Sequence, residues 1–262
     1  MHKGDEMSPE RNTAIRAAFE SCRAFLCAPP ARETHGRRRI DWMDACRSLF
    51  IVLMIGYHFL FDLELFGRIT REQLHTPVLD VLQQIGAGGF ILISGVSSRL
   101  SRSNVRRGFL TLCAGFLVMI GGYVIGQPIW FGILQFLGVA MLLYGVLGKY
   151  FERVPGTIAV PGYSLLFFLT YVWTASSLVQ TRLLWPLGFR FQGFSSADYF
   201  PLLPWVFVFL LGAWLGGVLK GVRETSRLYR PLPVWCTWIG RHGLIIYLLH
   251  QPLLYGLCLL VF

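Results

Sequence analysis

The chain has 262 residues, of which 54% are hydrophobic and 15% charged, with a formal net charge of +10 and a mean hydropathy of +0.54. A soluble domain carries about a quarter charged residues, so the composition excludes an ordinary water-soluble fold. The net charge alone would fit a nucleic-acid binder, but its placement along the chain assigns it to membrane topology instead, and no nucleic-acid partner is expected.

Residues 1–39 form a polar, basic tail. Within it Ser8 reads as an N-cap with Pro9 at the expected first helical position, and Ile15, Phe19 and Leu26 would give an apolar side up to Pro29 and Pro30. That pattern fits a short amphipathic helix lying on the membrane surface as well as a tail with no specific role. No secretory signal peptide is expected, since the first apolar run starts late and no small-residue cleavage site follows it.

Seven apolar runs of about 20 residues follow, each long enough to cross a hydrocarbon core of about 30 Å. They fall at residues 45–66, 78–98, 107–127, 130–149, 157–179, 201–220 and 239–261. The expected fold is all-α, a polytopic membrane helix bundle, with a tail over 1–39 and a transmembrane domain over 40–262. Segments flanking the spans on the side of the tail hold eighteen Lys and Arg residues, against Arg68, Arg71, Arg182 and Arg190 on the other side. The positive-inside bias places the N-terminus in the cytoplasm, the C-terminus outside, and the chain in the cytoplasmic membrane as a multi-pass protein. The segment after Gln180, with Trp185, reads as interfacial. Gly212 and Gly216, in GxxxG spacing, predict close helix packing. The six cysteines are scattered without metal-ligand spacing, so no metal is expected.

The first span, "RSLFIVLMIGYHFLFDLELFG", carries the informative polar residues. Arg47 and His58 lie eleven residues apart, on one helical face and about 16 Å apart along the axis. Asp44 precedes Arg47 by three residues and Asp62 follows His58 by four, so all four line one stripe. Such groups are costly in hydrocarbon and face a protein interior or a wet cavity. Taken singly, Arg47 also fits a snorkelling boundary cation, His58 an interhelical hydrogen-bonder and Asp62 an interfacial carboxylate.

In the last span, "GRHGLIIYLLHQPLL", His250 reaches the depth of His58 on a helix of the same direction, with Tyr247 a turn before it. The two histidines are expected to face each other. Pro252 predicts a local break in that helix. Further candidates are Ser94 in the second span, Gln135 at the start of the fourth, and Asp198 in "DYFPLLPW" above the cavity. Packing or capping explains each of these equally well.

The segments "IDWMDACRSLFIVLMIGYHFLFDLELFG", "FILISGVS", "DYFPLLPW" and "IGRHGLIIYLLHQPLL", with "FGILQFLG" between them, resemble the bacterial heparan-alpha-glucosaminide N-acetyltransferase catalytic-domain family of membrane acyltransferases. The spacing of Arg47 and His58 is also similar to the Arg-x10-His signature of the wider O-acyltransferase superfamily. The resemblance implies transfer of an acetyl or similar group from cytoplasmic acyl-CoA, acetyl-CoA above all, to a hydroxyl or amine of a glycan or glycolipid outside. It makes His58 the catalytic histidine and Arg47 its partner. Where the family pattern reads "FGILH", this chain has "FGILQ", so Gln135 stands where a histidine is expected.

Acyl transfer needs a base for the acceptor proton and a donor for the oxyanion. On this reading His58 is the base or a transient acyl carrier, and Asp62 fixes its tautomer or receives the acceptor. His250 or Tyr247 steadies the oxyanion, and Arg47, Arg99 and Arg241 hold the CoA phosphates. The rival readings are a proton-coupled transporter using the same polar groups and a non-catalytic membrane subunit. Absence of a visible internal repeat weighs against the transporter. A homodimer is left open.

Overall fold

The structure is a computed structural model that describes residues 39–222 and 226–262. The amphipathic helix expected in the tail lies outside the described residues. Among them the chain is helical: α1 (Asp41–Leu65), α2 (Arg71–Leu74), α3 (Pro77–Leu100), α4 (Asn104–Val124), α5 (Ile133–Phe151), α6 (Gly156–Ser176), α7 (Leu202–Gly221), α8 (Val234–Arg241) and α9 (Gly243–Val261). Seven of these, all but α2 and α8, are long and apolar enough to cross a membrane. An odd number of spans puts the start of α1 and the end of α9 on opposite sides. We call the side with Asp41, Arg99 and Arg241 the basic end.

The last span departs from expectation. The run predicted over 239–261 is two helices, α8 and α9, which meet at His242 (φ −104°, ψ 20°). Gly240 explains why α8 needs its own direction: it packs directly on the Asp44 carbonyl of α1, and a Cβ there would also lie 3.1 Å from Asp44 Cα. Its N–H donates to Ser48 Oγ at 2.8 Å, and that hydroxyl donates to the Asp44 carbonyl at 2.9 Å. Helix α9, by contrast, runs on through Pro252 without a break.

The tightest helix pair joins α3 and α7. Here Gly95 faces the Phe209 carbonyl, Gly212 faces the Leu92 carbonyl, and a Cβ on Gly216 would stand 2.8 Å from the Val96 carbonyl. Small residues let these backbones approach, which is what drives association in a solvent as apolar as the side chains. Ile91, Phe136 and Phe209, each at most 1% exposed, fill the core around this seam. Leu49, Val52 and Phe59 on α1 and Leu165, Phe168 and Leu169 on α6 point outward, as lipid-facing positions do.

At the end opposite the basic one, residues 177–201 fold over the bundle. The Trp185–Leu187 turn packs edge-on against Trp130 (5.9 Å) and Phe131 (6.0 Å). Tyr199 Oη donates to the Trp185 carbonyl at 2.6 Å, and burial pushes this phenol up to about 12 against the pull of Arg190. Backbone bonds from Ala197 to Pro128 and from Phe200 to Phe131 pin the segment beside the start of α5.

Candidate active site

Helix α1 places the site. Asp44, Ser48, Ile51 and Asp62 are its buried residues, spaced as one face of a helix, and Arg47 and His58 flank the same stripe, partly buried. The polar seam expected from sequence is therefore turned into the bundle. Its neighbours are α3, α8 and α9.

At mid-helix the His58 and His250 rings meet edge to face, with centroids 5.0 Å apart and planes at 89°. Each ring is held by a backbone carbonyl of its own helix: His58 Nδ1 donates to Met54 O at 3.0 Å, and His250 Nδ1 donates to Tyr247 O at 2.6 Å. A carbonyl oxygen only accepts, so in the neutral form of each ring the proton sits on Nδ1 and the lone pair on Nε2. His250 Nε2 is buried without a partner. The carbonyl of Met54, rather than Asp62, thus fixes the His58 tautomer.

Asp62 has a different partner. Its side chain is fully enclosed and Oδ1 accepts from Gln251 Nε2 at 2.7 Å, while Asp62 Oδ2 and Gln251 Oε1 remain buried and unpaired. Gln251 escaped the sequence reading. Its signal was there, as an amide in an apolar run is costly unless paired, but His250 beside it drew the attention.

A cavity of about 70 Å³ opens beside His58, lined by Met54, Tyr57, Gln83, Ile133, Asp198 and Tyr247 among others. That is room for a few waters or a small acyl group. Asp198 enters from the covering segment. Its Oδ2 accepts from the Ile133 N–H at 3.0 Å and so caps α5, a helix far away in sequence. A Cβ at position 132 would fall 2.5 Å from that oxygen, so Gly132 admits the carboxylate. Burial raises the Asp198 pKa, against the Ile133 N–H and the His58 charge, which lower it.

Two expected ligand contacts take other roles. Gln135 does not line the cavity: Oε1 accepts from the Gly132 N–H at 2.8 Å, and Nε2 donates to Met119 Sδ at 3.5 Å. Glutamine at this position is a helix-capping residue. Ser94 is buried and returns its hydroxyl to the Phe90 carbonyl at 2.8 Å.

The expected clamp of three arginines does not assemble. Arg47 donates to Asp44 Oδ1 (2.7 Å), to Ser97 Oγ (2.7 Å) and to the Gly240 carbonyl (3.3 Å), which ties α1 to α3 and α8. Arg241 pairs with Asp41 at 3.0 Å and lies 3.7 Å from Asp44 Oδ2. Arg99 turns instead to Glu152 at the end of α5. The cavity also stops short, for its lining begins at Phe50, three residues past Arg47.

Two facing imidazoles, a buried carboxyl and a small cavity lie together inside a bundle of seven helices long and apolar enough to cross a membrane, which marks a multi-pass membrane protein. The sequence matches the family described as heparan-alpha-glucosaminide N-acetyltransferase, catalytic, over residues 39–252, and the chain belongs to that family. It is therefore a membrane protein of a transferase family. Neither the curated proteins nor the solved structures give a match.

Proposed function

We propose that the chain is an integral membrane acyltransferase that takes an acetyl or similar acyl group from acyl-CoA at the basic, cytoplasmic end. The acceptor is a hydroxyl or amine of a glycan or glycolipid on the other side of the membrane. The observation that carries this reading is the His58–His250 pair, set at 5.0 Å over a cavity. His58 lines that cavity with its Nδ1 proton committed to Met54. Nε2 is then the atom that accepts the acceptor's proton and later returns it to the departing CoA thiolate.

The tautomers divide the remaining roles. His250, protonated at Nδ1 toward Tyr247 O, has no proton to offer from Nε2, so it does not serve as an oxyanion donor in its neutral form. Tyr247 lines the cavity and has a hydroxyl that does. His250 backs His58 and shares its charge once His58 is protonated. Arg47 supports the site by holding α1 against α3 and α8, and the basic end as a whole attracts the donor's phosphates.

The test is transfer itself. Purified protein in nanodiscs, given labelled acetyl-CoA and a sugar panel, should release CoA and label a sugar. His58→Ala should lower the rate by about 10²–10⁴-fold, the usual worth of a positioned base, with its folding intact by circular dichroism. Full activity in that variant, or no thermal stabilisation by CoA, overturns the assignment. A transporter or a scaffold would give the second result.

A further inference from the structure

A second cavity, of about 300 Å³, opens at the basic end between α3, α5, α6 and α7. It shares no lining residue with the cavity at His58. One packed core lies against both, with Ile133 and Tyr247 on the first cavity and Tyr144, Leu210 and Ala213 on the second. We propose that this cavity is a separate binding site for a zwitterionic head, an oxoacid anion joined to an ammonium, of the kind that ethanolamine phospholipids carry.

The polar groups on its wall are Arg99, Glu152, Tyr144 and Tyr163. Arg99 Nη1 pairs with Glu152 Oε1, and Tyr144 Oη donates to the same oxygen at 3.2 Å. Tyr144 also bonds to Arg99, so the three side chains form one cluster on the wall, with Arg99 Nε and Nη2 turned toward Gly217. That guanidinium edge is the bidentate fork that fits a phosphate or carboxylate. Gly217 keeps the space beside it open, for a Cβ there would lie 3.3 Å from Nε and 3.8 Å from Nη2. Trp214 and Tyr163 line the same cavity, with the Nε1 edge of the indole packed against Gly156.

These groups select a class of ligand. The Arg99 edge and the Tyr163 hydroxyl call for an oxygen-rich anion, but Glu152 would repel a ligand that is anionic only. An ammonium on the same molecule removes that repulsion by donating to Glu152 Oε2, and the faces of Trp214 and Tyr144 favour a cation. Leu210 and Ala213 form an apolar wall further in, and Val218 stands at the rim, half exposed on the bundle flank. A lipid head reaching in from the boundary of the spans meets all of these features, and a small soluble zwitterion meets the polar ones.

The full chain, purified in detergent, is tested by native mass spectrometry and thermal unfolding with phosphatidylethanolamine, phosphatidylglycerol and soluble phosphoethanolamine. Phosphatidylethanolamine should be retained and stabilise the protein at least tenfold more tightly than phosphatidylglycerol. Gly217→Leu sets a side chain directly against the Nε–Nη2 edge of Arg99, and should lose that preference while unfolding at the wild-type temperature without lipid. Arg99→Gln should lose it as well. If soluble phosphoethanolamine competes as well as the lipid, the zwitterion site stands and its ligand is a solute; if it does not compete, the ligand is the lipid. Equal retention of both lipids, retention of neither, or unchanged preference in Gly217→Leu overturns the proposal. Binding is read without acyl transfer, so this outcome is independent of the function proposed for His58.

Discussion

Gln251→Leu tests the polar pairing at the far end of the seam. Asp62 is 0% exposed and its one bond is the 2.7 Å contact from Gln251 Nε2. Two acceptors, Asp62 Oδ2 and Gln251 Oε1, are left over. A single proton on Oδ2 serves both, because the O–H then donates to Oε1 and closes a two-bond acid–amide ring. Leucine at 251 removes both bonds and leaves a buried neutral carboxyl alone, which costs about 1–3 kcal/mol. Were Asp62 a carboxylate, losing its partner would cost about 3–5 kcal/mol. Asp62→Asn is the companion variant. Its amide N–H replaces the acid O–H, both bonds survive, and the cost stays below about 1 kcal/mol. Denaturant unfolding in mild detergent, followed by near-UV circular dichroism, measures all three proteins. If Asp62→Asn costs as much as Gln251→Leu, a negative charge is required there and the shared-proton pairing is wrong.

Asp198 gives a pH test. Its folded pKa is raised above the ordinary carboxylate value by burial, so the folded state holds the proton more tightly than the unfolded chain. The resulting stability is present at low pH and falls as pH rises from the unfolded toward the folded value. Asp198→Asn keeps an acceptor for the Ile133 N–H and should flatten that part of a Tm-against-pH curve; an unchanged slope refutes the assignment. Ser48→Ala removes the acceptor of the buried Gly240 N–H and should cost about 1–3 kcal/mol in the same unfolding assay, whereas Ser94→Ala, which loses only a bond to its own helix, should cost less than half as much. Ser97→Ala frees Arg47 from α3. If the donor enters by parting α1 from α3, this variant should lower the KM for acyl-CoA with little change in kcat, and a raised KM would contradict that route.

The spans were legible because hydropathy over about 20 residues is a one-dimensional signal, and the boundaries of α3 and α7 fall within two residues of expectation. The facing of His58 and His250 was legible too. Depth on two helices of one direction can be counted from sequence, and helical periodicity turns both residues inward. The break at His242 was not. No proline marks it, and its cause is a tertiary contact, Gly240 on the Asp44 backbone. Partner choice was equally hidden. Arg47, Arg99 and Arg241 share an end of the bundle, but whether they converge depends on which carboxylate each one meets, and Asp41, Asp44 and Glu152 divide them. Gln135 looked like a site residue because of what the resemblance led one to expect there, whereas the fold spends both ends of its amide on packing.

The hydrogen-bond partners along α1 show why the proposed chemistry falls at its middle. Each polar group placed in a membrane interior must find a partner within the protein or a cavity. At the basic end Asp44, Arg47 and Ser48 find theirs on α3 and α8. Near the other end Asp62 finds Gln251. His58 and His250 have only their Nδ1 atoms engaged, each by a carbonyl of its own helix, so neither ring is needed to hold the helices together. The His250 lone pair is buried and kept free at a cost in stability. The two rings are oriented by their own helices and not tied across the bundle by a hydrogen bond, beside the cavity that a reacting molecule would enter on the proposed function.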